Sequence, residues 1–166
     1  MNQLTSLEDL FHHQLRDLYD AESRLVDALP KMVEKANHKS LKDAFRDHLE
    51  ETKSQKKRLE GVGQELGIEL SGETCYAMKG LVEEAEDFFS EDATDDVRDA
   101  GLIADAQRVE HYEIAGYGTV VTFAKSLGMK SIADTLQETL DEEKHADSKL
   151  NDLAVGNINK EAKAEA

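Results

Sequence analysis

Three features of this sequence predict an all-α protein. Apolar residues recur at helical spacing almost from end to end, nothing alternates at period two for long enough to make a strand, and a single proline, Pro30, stands among 166 residues. The length suits one domain with a core of its own. No Pro- or Ser-rich linker divides it. With five Phe, four Tyr and no Trp, that core must be mostly aliphatic.

The first helix is expected to start near Ser6, with Asp9 three residues on forming a loose capping box. Its apolar stripe runs through Leu7, Leu10, Phe11, Leu15, Leu18, Leu25, Leu29, Met32, Val33 and Ala36. Pro30 falls inside it and should kink or break it. The turn 37–40 follows, where Ser40 can cap a second helix carrying Leu41, Phe45, Leu49, Leu59, Val62 and Leu66 and ending at Gly67. Residues 68–74 form a polar connection, and a shorter helix spans about Tyr76 to Phe89. After an acidic turn, with Thr94 or Asp95 as cap, a long helix runs from about Asp95 to Leu127 and stops at Gly128. The last runs from about Lys130 into the 150s. Residues 1–156 thus form the bundle and 157–166 a polar tail expected to fray.

The order is long, long, short, long, long. Tight turns make the first and last long pairs antiparallel, and the short helix lies in a long crossover between the second and third. That is the topology of a ferritin-like four-helix bundle, rather than simple up-down-up-down.

Composition narrows the function. A formal net charge of −16 argues against nucleic acid, whose affinity comes from Lys and Arg neutralising phosphates, and against an anionic membrane surface. The one cysteine, Cys75, allows neither an intrachain disulfide nor a Cys-rich metal site. The start, Met1-Asn2-Gln3-Leu4, has no basic region followed by an apolar one, and no stretch approaches a transmembrane length. A cytoplasmic protein is expected.

The chemistry-bearing feature is a set of acids inside the apolar stripes. Glu22 interrupts Leu15, Leu18, Leu25 and Leu29. On the second helix, His48, Glu51 or Thr52, and Gln55 share a face with Leu41, Phe45 and Leu59. On the next long helix Glu110 lies between Ile103 and Ile114, and on the last Glu143 and Asp147 lie between Leu140 and Leu150. A single acid in a stripe is usually solvated at its edge, and 34% of this chain is charged. Four acids near the middles of four helices form a different pattern. Buried together they would repel and resist ionisation, and a pair of divalent cations is the natural compensation.

The segments Asp17-Leu18-Tyr19-Asp20-Ala21-Glu22, His48-Leu49-Glu50-Glu51-Thr52, Val109-Glu110-His111-Tyr112-Glu113-Ile114 and Leu140-Asp141-Glu142-Glu143-Lys144 carry a resemblance over essentially the whole chain. The sequence resembles the YciE/YciF family of bacterial stress-associated ferritin-like proteins. The resemblance implies a ferritin-like bundle, a homodimer and a candidate di-metal site. One departure stands out: the wider pattern's Glu-x-x-His would need histidine at 54 and 146, where this chain has Ser54 and Ala146. His48, Gln55 and Asp147 are the candidates to fill that gap, and Glu113 resembles the extra glutamate of rubrerythrins. Glu142-x-x-His145 has metal-motif spacing on a face that reads as surface. His12, His13 and His38 read as solvated, and His111 points about 100° away from Glu110. Tyr19, Tyr112 and Tyr117 read as packing residues that can also hydrogen-bond ligands.

The expected function is therefore a di-metal carboxylate protein holding two iron (or manganese) ions per chain. Glu51 and Glu143 would bridge and Glu22 and Glu110 would be terminal. Oxygen or peroxide would oxidise Fe(II) in stress protection, in the manner of a ferroxidase or rubrerythrin. The alternative is a non-enzymatic acidic stress protein with a structural or vestigial metal site, which the missing imidazoles favour.

Overall fold

The structure, a computed structural model, describes residues 4–164; residues 1–3 and 165–166, parts of the expected N-terminal start and C-terminal tail, lie outside it. The described chain is helical with no strands. Its elements are α1 (Leu7–Lys35), α2 (Lys39–Leu66), α3 (Tyr76–Phe88), α4 (Asp95–Ser126) and α5 (Lys130–Leu153), then a π turn (Ala154–Ile158) and a short α6 (Asn159–Ala164). Packing joins α1 to α2 and α4, and α5 to α2 and α4, closing a four-helix square. The crossover helix α3 lies against α1 and α4. This is the ferritin-like bundle with a short helix in its crossover.

Local chemistry sets the boundaries. Ser6 accepts from the Asp9 amide while Asp9 accepts from the Ser6 amide, so the capping box is complete. The second helix is capped two residues earlier than expected: the cap is His38, whose ring accepts from the Ser40 amide. Gly67 ends α2 at φ 66°, in the left-handed region that favours glycine. Pro30, expected to kink or break α1, lies within a continuous helix. It is exposed and in the penultimate turn, where water can satisfy the carbonyl its ring leaves free.

The segment after residue 156, expected to fray, is helical as far as Ala164. The π turn admits one extra residue and brings Ile158 inward at 1% exposure, in line with Leu150 and Ala154. That buried anchor holds α6 against α4.

A latch ties the crossover to α1. The Cys75 amide donates to Asp20 at 2.8 Å, Tyr112 Oη donates to Asp17, and Cys75 Sγ lies 3.0 Å from the same Tyr112 oxygen. Cys75 is fully buried.

The apolar core comes in two parts. One gathers Leu25, Leu29, Met32, Leu41, Phe45, Leu102, Ile103, Leu150 and Ile158 around Cys75 and Met78. The other gathers Phe11, Leu15, Leu18, Leu59, Val62, Tyr117, Val120, Val121, Ile132, Leu136 and Leu140. On every long helix buried polar residues lie where these two clusters meet. Among the described residues, no helix is long and apolar enough to cross a membrane.

Candidate metal centre

Helical periodicity keeps one face inward along each helix, so the stripe that delivers leucines at both ends must deliver what lies between them too. Between Leu18 and Leu25 that residue is Glu22, fully buried. Between Phe45 and Leu59 they are His48, Thr52 and Gln55. Between Val109 and Tyr117 they are Glu110 and Glu113, and between Leu140 and Leu150 they include Glu143. All seven polar side chains are buried.

Four of them form one group. His48, Glu110, Glu113 and Glu143 each offer a ligand atom, and these atoms all lie within 4.8 Å of one another. His48 Nε2 is 3.2 Å from Glu110 Oε1 and 4.0 Å from Glu143 Oε2. Glu22 borders the group, with one carboxylate oxygen accepting from the Tyr117 hydroxyl.

The electrostatics are those of an uncompensated site. Burial pushes the Glu22 carboxyl up to about 8, although the Tyr117 bond and the His48 charge pull the other way. Burial holds Glu113 and Glu143 well above the usual carboxylate range, reinforced at Glu113 by the charge of Glu143 and at Glu143 by that of Glu110. For His48 burial alone would favour the neutral ring. The charge of Glu110 overrides it, and the imidazole is raised well above its ordinary range. Both oxygens of Glu113, both of Glu143, and Oε2 of Glu22 and of Glu110 are buried without a hydrogen-bond partner. Native interiors rarely leave such atoms unpaired, and several converging together are the signature of a missing positive charge. Carboxylates with one imidazole suit iron, manganese or zinc. The residues present fit a bound cation.

The expected ligands divide. Glu22, Glu110, Glu113, Glu143 and His48 come together. Glu51 does not: it was expected buried opposite Glu143, but 42% of its side chain is exposed and its carboxylate sits 3.6 Å from the outer ring nitrogen of His48. Adjacent residues point about 100° apart on a helix, so with Thr52 inward Glu51 is turned to the rim. Its carboxyl is held below the usual range by the neighbouring His48 imidazole. Asp147 also faces outward, taking a bond from Gln107 at 3.2 Å and pairing with the exposed His111 at 3.3 Å. Gln55 is buried but turned aside, its amide donating to Glu142 at 3.1 Å.

Glu142, expected on the surface, is half-buried. Arg58 grips both its oxygens, at 2.9 and 3.0 Å, and also donates to Thr139 at 2.6 Å. This clamp joins α2 to α5 beside the metal group. Its trace in the sequence is Arg58 one turn after Gln55, opposite a glutamate adjacent to Glu143, which is too common a pattern to single out. His145 is exposed, as expected.

Fold and site together define the class: a ferritin-like helical bundle with a buried carboxylate–imidazole group at mid-height. The chain belongs to the family described as Domain of unknown function (DUF892), matched over residues 6–163. It is 47% identical to Protein YciF of Escherichia coli (strain K12) over 167 residues, spanning all of both chains. The crystal structure of the E. coli stress protein YciF superposes with a TM-score of 0.91 at 46% identity, covering 95% of this chain and 99% of that one. YcfI from Rhodopseudomonas palustris superposes with a TM-score of 0.87 at 45% identity, over 90% and 96% of the two chains.

Proposed function

We propose that this protein is a di-metal carboxylate oxidoreductase of the ferroxidase or peroxidase type, protecting the cell under stress. The observation that supports the reading best is the convergence of His48, Glu110, Glu113 and Glu143 within 4.8 Å, with their buried oxygens unpaired. In this reading those four residues hold one ion, and Glu22 with the carboxylates it borders completes a place for a second. Tyr117 fixes the rotamer of Glu22 through its hydroxyl. The Arg58–Glu142 clamp holds α2 against α5, so that His48 and Glu143 keep their separation. Ferrous iron held by these residues would supply single electrons, so that two Fe(II) would suffice to reduce one hydrogen peroxide, with two protons, to two waters. With its physiological homodimer, proposed on the family resemblance, the protein would show a solution mass near twice 18.5 kDa by light scattering.

The test is metal analysis followed by stopped-flow oxidation of Fe(II). The expected outcome is tight binding of two ions per chain and oxidation by peroxide or oxygen well above that of free Fe(II), lost in Glu143→Ala. Binding without accelerated oxidation overturns the enzymatic reading and leaves a structural ion site. Mn(II) at a hundredfold excess over Kd should also add about 2.7 kcal/mol of stability per bound ion and so raise the melting temperature.

A further inference from the structure

One apolar cavity opens onto the metal group. It measures about 170 Å³ and is walled by Leu29, Met32, Phe45, Val109 and Leu150, among others. At its buried end stand His48 and Glu110; at its exposed end stand Asp47, Glu51, His145 and Lys149. We infer that this cavity binds a small neutral organic molecule, one aromatic ring in size with a single hydroxyl head, delivered head-first to the metal group.

Four observations select that ligand. An apolar cavity of about 150 Å³ holds a benzene ring, so this one takes a single ring and excludes a long chain. Between the metal group and the mouth the walls are aliphatic, with one aromatic ring and one adaptable methionine, so a charged body would lose its hydration there without a partner. At the buried end Glu110 Oε2 has no hydrogen-bond partner, so it is an acceptor awaiting a donor. At the mouth, Lys149 Nζ is paired to Asp47 at 3.0 Å and the Glu51 carboxylate stands beside it, so the entrance offers no surplus positive charge to an anionic head. A ferrous ion needs none of this apolar wall. A wall of leucine, phenylalanine and methionine against a buried carboxylate matches an apolar body carrying one donor. That the ligand is a substrate, and not a passenger, rests on the metal-centre reading; that it binds does not.

The chain carries its own reporters. Of its four methionines, Met32 lines this cavity, Met78 lies buried under the crossover and Met129 sits at the far end of the bundle. Phenol titrated into metal-free protein, with the methionine methyls labelled for NMR, should move the Met32 signal saturably and leave Met78 and Met129 in place. Benzene should bind at least threefold more weakly than phenol, because it cannot donate to Glu110. Ala106→Leu, which fills the cavity, should weaken phenol at least tenfold; if that chain does not fold, the milder Ala146→Val should weaken it at least threefold. An unmoved Met32 signal, equal shifts at all three methionines, or unchanged affinity in the filled variant overturns the inference. Repeating the titration with Zn(II) bound tests the link to the metal group, where phenol affinity should change at least threefold. Phenol binding in a chain that takes up no metal would confirm the cavity while overturning the metal-centre reading. Metal uptake with no phenol binding would do the reverse.

Discussion

The two ends of this bundle and the layer between them are equally buried and energetically opposite. At the ends, Leu15, Leu41, Leu102 and Leu136 reach 0% exposure, and each such side chain contributes about 1.5–3 kcal/mol by leaving water. In the middle layer Glu22, Glu113 and Glu143 reach the same 0%, where an unpaired charge costs several kcal/mol, roughly, per ion. Burial alone therefore does not say whether a residue holds the fold together. The ends carry the fold, and the middle is a strained insertion that the ends are stable enough to tolerate. Such a layer makes sense when something outside the chain completes it.

The sharpest break in the comparison would come from the ends. Leu136→Ala should cost about 3 kcal/mol in chemical denaturation, with the same loss whether or not Mn(II) is bound. A change in metal stoichiometry in that variant would show that ends and middle are not separable. The next effect is pH. Between the ordinary glutamate value of 4.5 and about 8, folded Glu22 keeps a proton that the unfolded chain has released. Its contribution is therefore fully present below about 4.5 and falls as pH rises, by up to about 1.4 kcal/mol per pH unit within that window. Glu113 and Glu143, raised likewise, act in the same sense. So does His48, whose raised value makes its stabilisation disappear as pH climbs through it. Metal-free protein should unfold at clearly lower denaturant at pH 8 than at pH 5, and bound Mn(II) should flatten the trend, since ligation takes the place of the protons.

Glu113→Gln isolates the strain in one residue. It should stabilise the metal-free chain by about 1–2 kcal/mol, while metal uptake measured by calorimetry falls sharply. A destabilised metal-free variant would mean that the carboxyl is structurally required. The smallest effect belongs to the rim: Glu51→Gln should change stability by less than about 1 kcal/mol and leave metal stoichiometry unchanged. Loss of metal in that variant would return Glu51 to the ligand set.

The sequence displayed the fold almost completely, because helical stripes and short turns are local signals. Glu22, Glu110 and Glu143 were legible for the same reason, each interrupting an apolar stripe near the middle of its helix. On α2 the stripe offered Glu51 and Thr52 side by side, and periodicity alone did not choose between neighbours about 100° apart. The chemical expectation chose Glu51, whereas packing turned Thr52 and His48 inward. Burial of the tail depended on the π turn, which shifts the phase by one residue and leaves no compositional mark. The Arg58–Glu142 clamp spans 84 residues and is purely tertiary.

The latch at the crossover makes the protein its own stopwatch. Cys75 is fully enclosed, its thiol pushed up by burial, and its contacts with Asp20 and Tyr112 tie the start of the crossover helix to α1 and α4. A thiol reagent can reach that sulfur only during the moments when α3 has lifted away. In reagent excess the labelling rate then counts lifting events, and in the limit of slow chemistry it reports the fraction of time spent open. The lone cysteine thus turns an otherwise silent motion of the crossover into a rate that can be read in a cuvette.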